Sequence, residues 1–179
     1  MLSLNPSSFT EDIVRIQELQ SFSLVEKALF GEFISKCNDD FLIQNSFWGK
    51  TSESVLNTLK KLEYNGVWVI LVDGKIQGFW VMEKGKNKVF FDFFVPSSLH
   101  KGDIFFYVLG LFKALDAKSG KNLYINIDNI SNINSLVSKK FRISQSGDGR
   151  NLIRASYLNV GNKYSYENKA EEIVKFYKD

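Results

Sequence analysis

Two apolar runs, VWVILV (67–72) and IQGFWVME (76–83), flank the dipeptide Asp73-Gly74. Asp-Gly supplies the two positive-φ positions of a type I′ turn, so this stretch predicts a β-hairpin. Gly85-Lys86-Asn87 predicts the next reversal, into VFFDFFV (89–95), and Pro96 ends a run of three consecutive antiparallel strands. A short polar loop follows. From about Gly102 to Lys118, Ile104, Val108, Leu111 and Leu115 recur at helical spacing, and Ser119-Gly120 supplies the stop. NLYINI (122–127) then returns as a strand. A strand, helix and strand in one sheet predict a right-handed parallel crossover, with the strand at 89–95 central and parallel to the one at 122–127.

The flanks read as helices and one more hairpin. Ser8 to Glu11 fits a capping box, and Ile13, Ile16 and Leu19 follow it, predicting a short first helix. A second box, Ser23 to Glu26, introduces Leu29 and Phe33 and a helix to about Cys37. Asn38, Asp39 and Asp40 break that pattern, and FLIQNSFWGK (41–50) reads as a loop. Thr51 or Ser52 can cap a helix carrying Val55, Leu59 and Leu62, stopped by Asn65-Gly66. Ser131 can cap a short helix with Ile133, Leu136 and Val137. FRISQ and NLIRASYL around SGDGR predict the last hairpin, and Ala170, Ile173, Val174 and Tyr177 predict a closing helix. The expected organisation is a single domain over 1–179. Residues 1–66 form its mostly helical start, 67–158 its sheet core, and 159–179 its C-terminal helix.

Composition narrows the function. The 179 residues include 23 Lys and Arg against 20 Asp and Glu, a formal net charge of +3, with the basic residues scattered. The footprint expected of a nucleic-acid binder is therefore weak, and no basic stripe interleaves the aromatic residues, which reach 15%. One cysteine, Cys37, excludes an internal disulfide. One histidine, His100, leaves no Cys/His cluster with metal-ligand spacing. Neither a signal-peptide pattern nor a membrane-span length occurs, so the expected location is cytoplasmic with no membrane partner.

The order of elements resembles the GNAT acetyltransferase superfamily over roughly Ser52 to Leu158. VPSSLHKGDIFFYVLGLFKAL is similar to the family's V-x-P-x-x-R/Q-x-x-G-x-G/A segment and its helix. INIDNISNINSLVSKKF is similar to its strand, Asn and helix ending in tyrosine-x-x-x-Gly-Phe. The resemblance implies a mixed, mostly antiparallel, twisted α/β sheet with flanking helices, and acetyl-CoA or another acyl-CoA as co-substrate. Its coenzyme A contacts would be Phe94, Val95, Leu99, His100, Lys101, Gly102, Asp103, Ile104 and Asn129. Phe141 takes the Phe position. Leu99 stands where the Arg or Gln would be, Ile104 replaces the second small residue, Leu136 replaces the tyrosine acid, and Lys140 replaces the Gly before Phe141.

Asp92 is the expected catalytic residue. It is a lone charge among Phe90, Phe91, Phe93 and Phe94, where burial raises a carboxyl's pKa toward that of a general base, and the family's base often comes from this strand. The bland alternative is a carboxylate that binds a cation or a backbone donor. Gly102 either lets a pyrophosphate approach the backbone or simply opens a helix; Asp103 suits the helix dipole but repels a phosphate. Asn129 fits a capping role. Tyr107, Tyr124 and Tyr157 are stand-ins for the missing acid, although core packing explains them too. Phe47, Trp48, Trp68 and Trp80 either wall an acceptor pocket or, Trp48 excepted, pack the core. Cys37 is expected to be structural. The expected activity is transfer of an acyl group to a small-molecule or peptide amine, with homodimerisation open; the alternative is a catalytically inactive GNAT-like binding or regulatory module.

Overall fold

The structure is a computed structural model describing residues 13–37, 40, 51–100, 102–130, 133–137, 142–146, 149–160 and 166–176. Its strands are β1 (Val14–Glu18), β2 (Val67–Val72), β3 (Lys75–Lys84), β4 (Lys88–Phe94), β5 (Asn122–Asn126), β6 (Ser144–Gln145) and β7 (Asn151–Arg154). They form one sheet in the order β1-β2-β3-β4-β5-β7-β6. The helices are α1 (Leu24–Lys36), α2 (Ser52–Lys61), α3 (Asp103–Ser119) and α4 (Glu167–Val174). Among the described residues only β4 and β5 pair in parallel, joined through α3; every other neighbouring pair is antiparallel. The sheet is thus mixed and mostly antiparallel.

Local chemistry explains the well-defined turns and helix starts. Asp73 and Gly74 adopt φ of 51° and 78°, the left-handed pair that the β2–β3 turn requires. At the start of α1, Ser23 Oγ accepts from the Glu26 N–H while Glu26 Oε1 accepts from the Ser23 N–H, at 3.2 and 3.0 Å. Thr51 and Ser54 do the same for α2. α3 opens at Gly102 with no side-chain cap and closes at Gly120.

Two apolar layers sandwich the sheet. Trp68, Ile70, Trp80, Phe91, Phe93, Leu123 and Ile125 face α3 and α4. Val67, Val69, Leu71, Phe79, Val81 and Phe94 face α1 and α2. The alternation along β2 explains why VWVILV is apolar throughout, since both of its faces are buried. Trp80 sits centrally, its ring centroid 5.6 Å from Phe91 and 5.1 Å from Phe112. Such aromatic pairs add roughly 0.5–1.5 kcal/mol each beyond area burial.

Two expected helices are not formed. The segment with Ile13, Ile16 and Leu19 is strand β1, paired from Val14↔Val72 to Glu18↔Trp68. Their spacing of three is helical, but Val14 and Ile16 share one face of a strand, and the open edge of β2 decides the matter by offering a backbone ladder to these β-branched residues. The Ser8–Glu11 box lies outside the described residues. Past Ser131, itself outside them, residues Ile133–Ser135 make one 3-10 turn and Val137 bridges to Leu158. The last hairpin is shorter than expected, with two residues in β6. The closing helix ends at Val174, and Tyr177 lies outside the described residues.

The fit of α4 on α3 depends on Gly110. A Cβ built there would fall on the ring of Tyr166, the residue before α4. Gly110→Ala is therefore expected to cost the roughly 1–3 kcal/mol of core overpacking, a fall of several degrees in Tm. Adding Tyr166→Leu should recover part of that fall. Calorimetry finding Gly110→Ala at the parent Tm would contradict this packing.

Candidate functional site

The parallel ladder between β4 and β5 runs from Lys88↔Asn122 to Phe91↔Ile125 and stops. Beyond it β4 stays paired only to β3, through Val81↔Asp92, Trp80↔Phe93 and Phe79↔Phe94, while β5 turns to β7. The sheet forks there. The next residue on each strand is polar, Asp92 and Asn126, and their side chains meet where the backbones part: Asn126 Nδ2 donates to Asp92 Oδ1 at 2.8 Å. The guanidinium of Arg150 reaches the same point from the turn before β7, with Nη1 2.7 Å from Asp92 Oδ2 and Nη2 3.0 Å from Glu83 Oε2.

Period-2 alternation sets the chemistry of this fork. Phe91 and Phe93 point to α3, so Asp92 points to the face that α1 and α2 cover farther along the sheet. Glu83, Phe90 and Tyr124 share that face by register, and the Arg150 guanidinium lies 5.5 Å from the Phe90 ring centroid. Asp92 is 4% exposed, Asn126 2% and Arg150 6%, whereas the Glu83 side chain is 53% exposed. Burial pushes the Asp92 carboxyl above its ordinary range, against the Asn126 hydrogen bond and the Arg150 charge, and the Glu83 charge adds to the rise.

The loop from Val95 to Gly102 links this fork to α3. Residues Ser97–Leu99 form a 3-10 turn, in which Leu99 N–H donates to Pro96 O and His100 N–H to Ser97 O. Gly102 N–H donates to Leu99 O at 2.9 Å. Asp40 receives both the N–H and the Oγ–H of Ser97, at 2.8 and 3.0 Å. His100 is 2% exposed; its Nε2 donates to Val95 O at 2.7 Å and its ring stacks on Phe105. Ile104 and Val95 are buried toward α3 and α4, Phe94 toward α1 and α2, and Leu99 packs at the edge of the first layer. Gly102 is the extended N-cap of α3, and Asp103 opens its first turn. Lys101 lies outside the described residues.

Of the expected contacts, then, the backbone at 102–104 lies at the helix start, where first-turn amides have no partner inside the helix. The side chains of His100 and Ile104 go to the core. Asn129 closes the 3-10 turn Ile127–Asn129, but the cap of that turn is Asn126, whose Oδ1 accepts from the Asp128 N–H. Leu136 is buried in the core, and Lys140 and Phe141 lie outside the described residues. Tyr107 is core, beside Tyr166; Tyr157 is partly buried in a 3-10 turn; Tyr124 stands on the fork's face beside Phe90 and Lys88. Trp68 and Trp80 are core, while Phe47 and Trp48 lie outside the described residues. Burial, then the charge of Asp40, push the Cys37 thiol up to about 11, so it stays protonated at neutral pH.

Sequence reasoning singled out Asp92 but none of its partners. Alternation alone puts Asn126 on the face of Tyr124, opposite Leu123 and Ile125, which was a usable signal. Arg150 sits in a hairpin turn and Glu83 at a strand end, positions where a charge is ordinarily solvated. Among the described residues no group of His, Cys, Asp and Glu could hold a metal ion, and no helix is long and apolar enough to cross a membrane.

Comparison with solved structures identifies the architecture. An acetyltransferase from Thermus thermophilus matches with a TM-score of 0.52 and 14% identity, over 79% of this chain and 94% of that one. A GNAT-family acetyltransferase from Bacillus anthracis matches with 0.50 and 11%, over 79% and 92%. The chain has the GNAT acetyltransferase fold. No family model and no curated protein sequence matches it.

The buried histidine gives the loop a pH signature. Burial holds the His100 imidazole below its ordinary range, outweighing the Val95 hydrogen bond and the nearby Asp40 charge. A folded-state pKa below the unfolded value of about 6.5 means stability that is complete above that value and lost as pH falls through the folded pKa. His100 should therefore contribute a decline in Tm from pH 7 to pH 5, opposite in sign to the contribution of the raised Asp92 carboxyl. His100→Gln, which can still donate to Val95 O, should flatten this part of the profile; an equally steep decline in the variant would assign the effect elsewhere.

Proposed function

We propose that the chain is a divergent GNAT enzyme that transfers an acetyl or related acyl group from an acyl-CoA to an amine, with Asp92 as the base. The observation that carries this reading is the fork: a buried carboxylate of raised pKa stands where the parallel ladder ends, one short loop from the start of α3. An acyl thioester laid into the fork would bring its carbonyl carbon toward that carboxylate. The amine nitrogen attacks this carbon, its proton goes to Asp92 directly or through a water, the C–S bond breaks, and the thiolate takes its proton from solvent. The anionic end of the coenzyme would lie at the first turn of α3, where backbone amides and the helix dipole favour negative charge. Small-molecule and peptide amines both suit the reading.

A specific observation favours a second reading, a binding or regulatory module without catalysis. The N–H groups of Leu99, His100 and Gly102 turn inward to the loop's own carbonyls, and Asp103 adds a negative charge at the helix start.

Three measurements separate the two. Acetyl-CoA should raise Tm, since a ligand bound only by the folded state at a hundredfold excess over its Kd stabilises it by about 2.7 kcal/mol; no shift at millimolar ligand favours the module or a different acyl carrier. Asp92→Asn should lower thiol release from acetyl-CoA with an accepted amine by roughly 10²-fold or more; an active Asn variant removes Asp92 from the chemistry. Asp103→Asn relieves a repulsion of about 0.3–2 kcal/mol, so coenzyme A affinity should rise between less than twofold and some thirtyfold. Weaker binding by calorimetry would leave the helix-start site unsupported.

A further inference from the structure

The fork contains a group that the reaction outlined above does not use. Arg150 is brought to Asp92 by a turn that is itself fixed: the Arg150 N–H donates to Ser146 Oγ at 3.0 Å and the Arg150 carbonyl accepts from the Ser146 N–H at 2.9 Å. The guanidinium then spans β4 and β3, with one nitrogen on Asp92, the other on Glu83, and its flat face near Phe90. A carboxylate 4% exposed and flanked by Phe91 and Phe93 is costly without a cation, and the planar fork of an arginine suits two carboxylates at once. Asn126 holds the other Asp92 oxygen, so the carboxyl group is fixed from two sides.

We propose that Arg150 is a positioning residue, which holds the Asp92 carboxylate charged and oriented at the fork of the sheet and shares its second nitrogen with Glu83 at the solvent side. The inference builds on the acyl-transfer reading of Asp92, but the contact it asserts is measurable without any reaction. Among the described residues the charged groups acting on Asp92 are Arg150 and Glu83, and Asn126 is its polar partner. Their charges sum to one net negative at a point open to solvent through Glu83, which suits the approach of a cationic amine.

The test compares Arg150→Met, which keeps much of the stem over Phe90, with Arg150→Lys, in the full-length protein. With its cation gone, Asp92 is better protonated. Its folded pKa then lies further above the unfolded value, and the associated stability is complete below about pH 4 and lost as pH rises through the folded pKa. Arg150→Met should therefore melt about 10 °C below the parent at pH 8 and recover toward pH 5. Combining it with Asp92→Asn should abolish this recovery. The Asp92 carboxyl 13C resonance should titrate at least one pH unit higher in Arg150→Met, with Arg150→Lys between the two. In acyl transfer, kcat should fall about tenfold or more, KM for acetyl-CoA should hold, and the acid limb of the profile should move up with the 13C midpoint. An unmoved midpoint overturns the proposal, even with a lower Tm, because an arginine that did not hold the Asp92 charge would lower Tm alone. If Arg150→Met does not fold, the midpoint in Arg150→Lys decides. A shifted midpoint in a protein that acetylates no amine would sustain the contact and refute the acyl-transfer reading.

Discussion

A carboxylate set inside a central strand needs a cation, and the pair formed by Asp92 and Arg150 answers that need at the point where the sheet opens. The parallel ladder must end for a cleft to exist between β4 and β5, and ending it exposes backbone groups that water or a ligand must satisfy. Asp92 and Asn126 are the first residues past the last rung, and the bond between them joins the strands by side chains just where backbone pairing ceases. Arg150 draws in the β6–β7 turn and the end of β3, so four parts of the chain converge on one carboxyl group. Such a pair is weak evidence for net stability, since desolvation of two ions offsets much of their attraction. Its contribution is geometric: it fixes where a polar group stands in an otherwise aromatic strand.

The packing around the fork follows from the two faces of the sheet. β4 buries Phe91 and Phe93 against α3, and Trp80 fits between Phe91 and the edge of Phe112. This layer is closed. The opposite face is covered by α1 and α2 over β2, β3 and the end of β4, while Phe90 and Tyr124 remain partly exposed on the far side of Asp92. The same strand thus has one closed face and one half-open face, and Asp92 marks the change.

The loop before α3 reconciles two demands less completely. Its 3-10 turn satisfies its own amides and is pinned by the His100 ring inside and by the Asp40 carboxylate on Ser97. A rigid loop positions the helix start well. It also leaves fewer backbone donors for an anionic ligand than an open glycine-rich loop would, and Asp103 lies where the ligand's charge would come. A coenzyme bound here would depend chiefly on the first turn of α3.

Elements with local signals were legible in the residues alone. Asp73-Gly74 made a turn because few other dipeptides tolerate two positive φ angles. Ser23 and Thr51 started helices because their side chains satisfy orphan amides within three residues. The parallel crossover followed from the order of strand, helix and strand. Asp92 was legible as a position in need of a polar partner, because a charge amid four phenylalanines is costly to bury alone. Whatever depended on a distant partner was settled by the fold. Residues 14–18 became a strand because β2 offered a free edge, against a helical reading that the spacing of Ile13, Ile16 and Leu19 favoured. His100 turned inward because Val95 and Phe105 received it, although a lone histidine in a polar loop reads as solvated. The hydrogen-bond partners of Asp92 lie 34 and 58 residues from it, at Asn126 and Arg150, and Glu83, nine residues before it, joins through Arg150. Strand register and the closure of one hairpin bring them together, and neither is written in the spacing of residues along the chain.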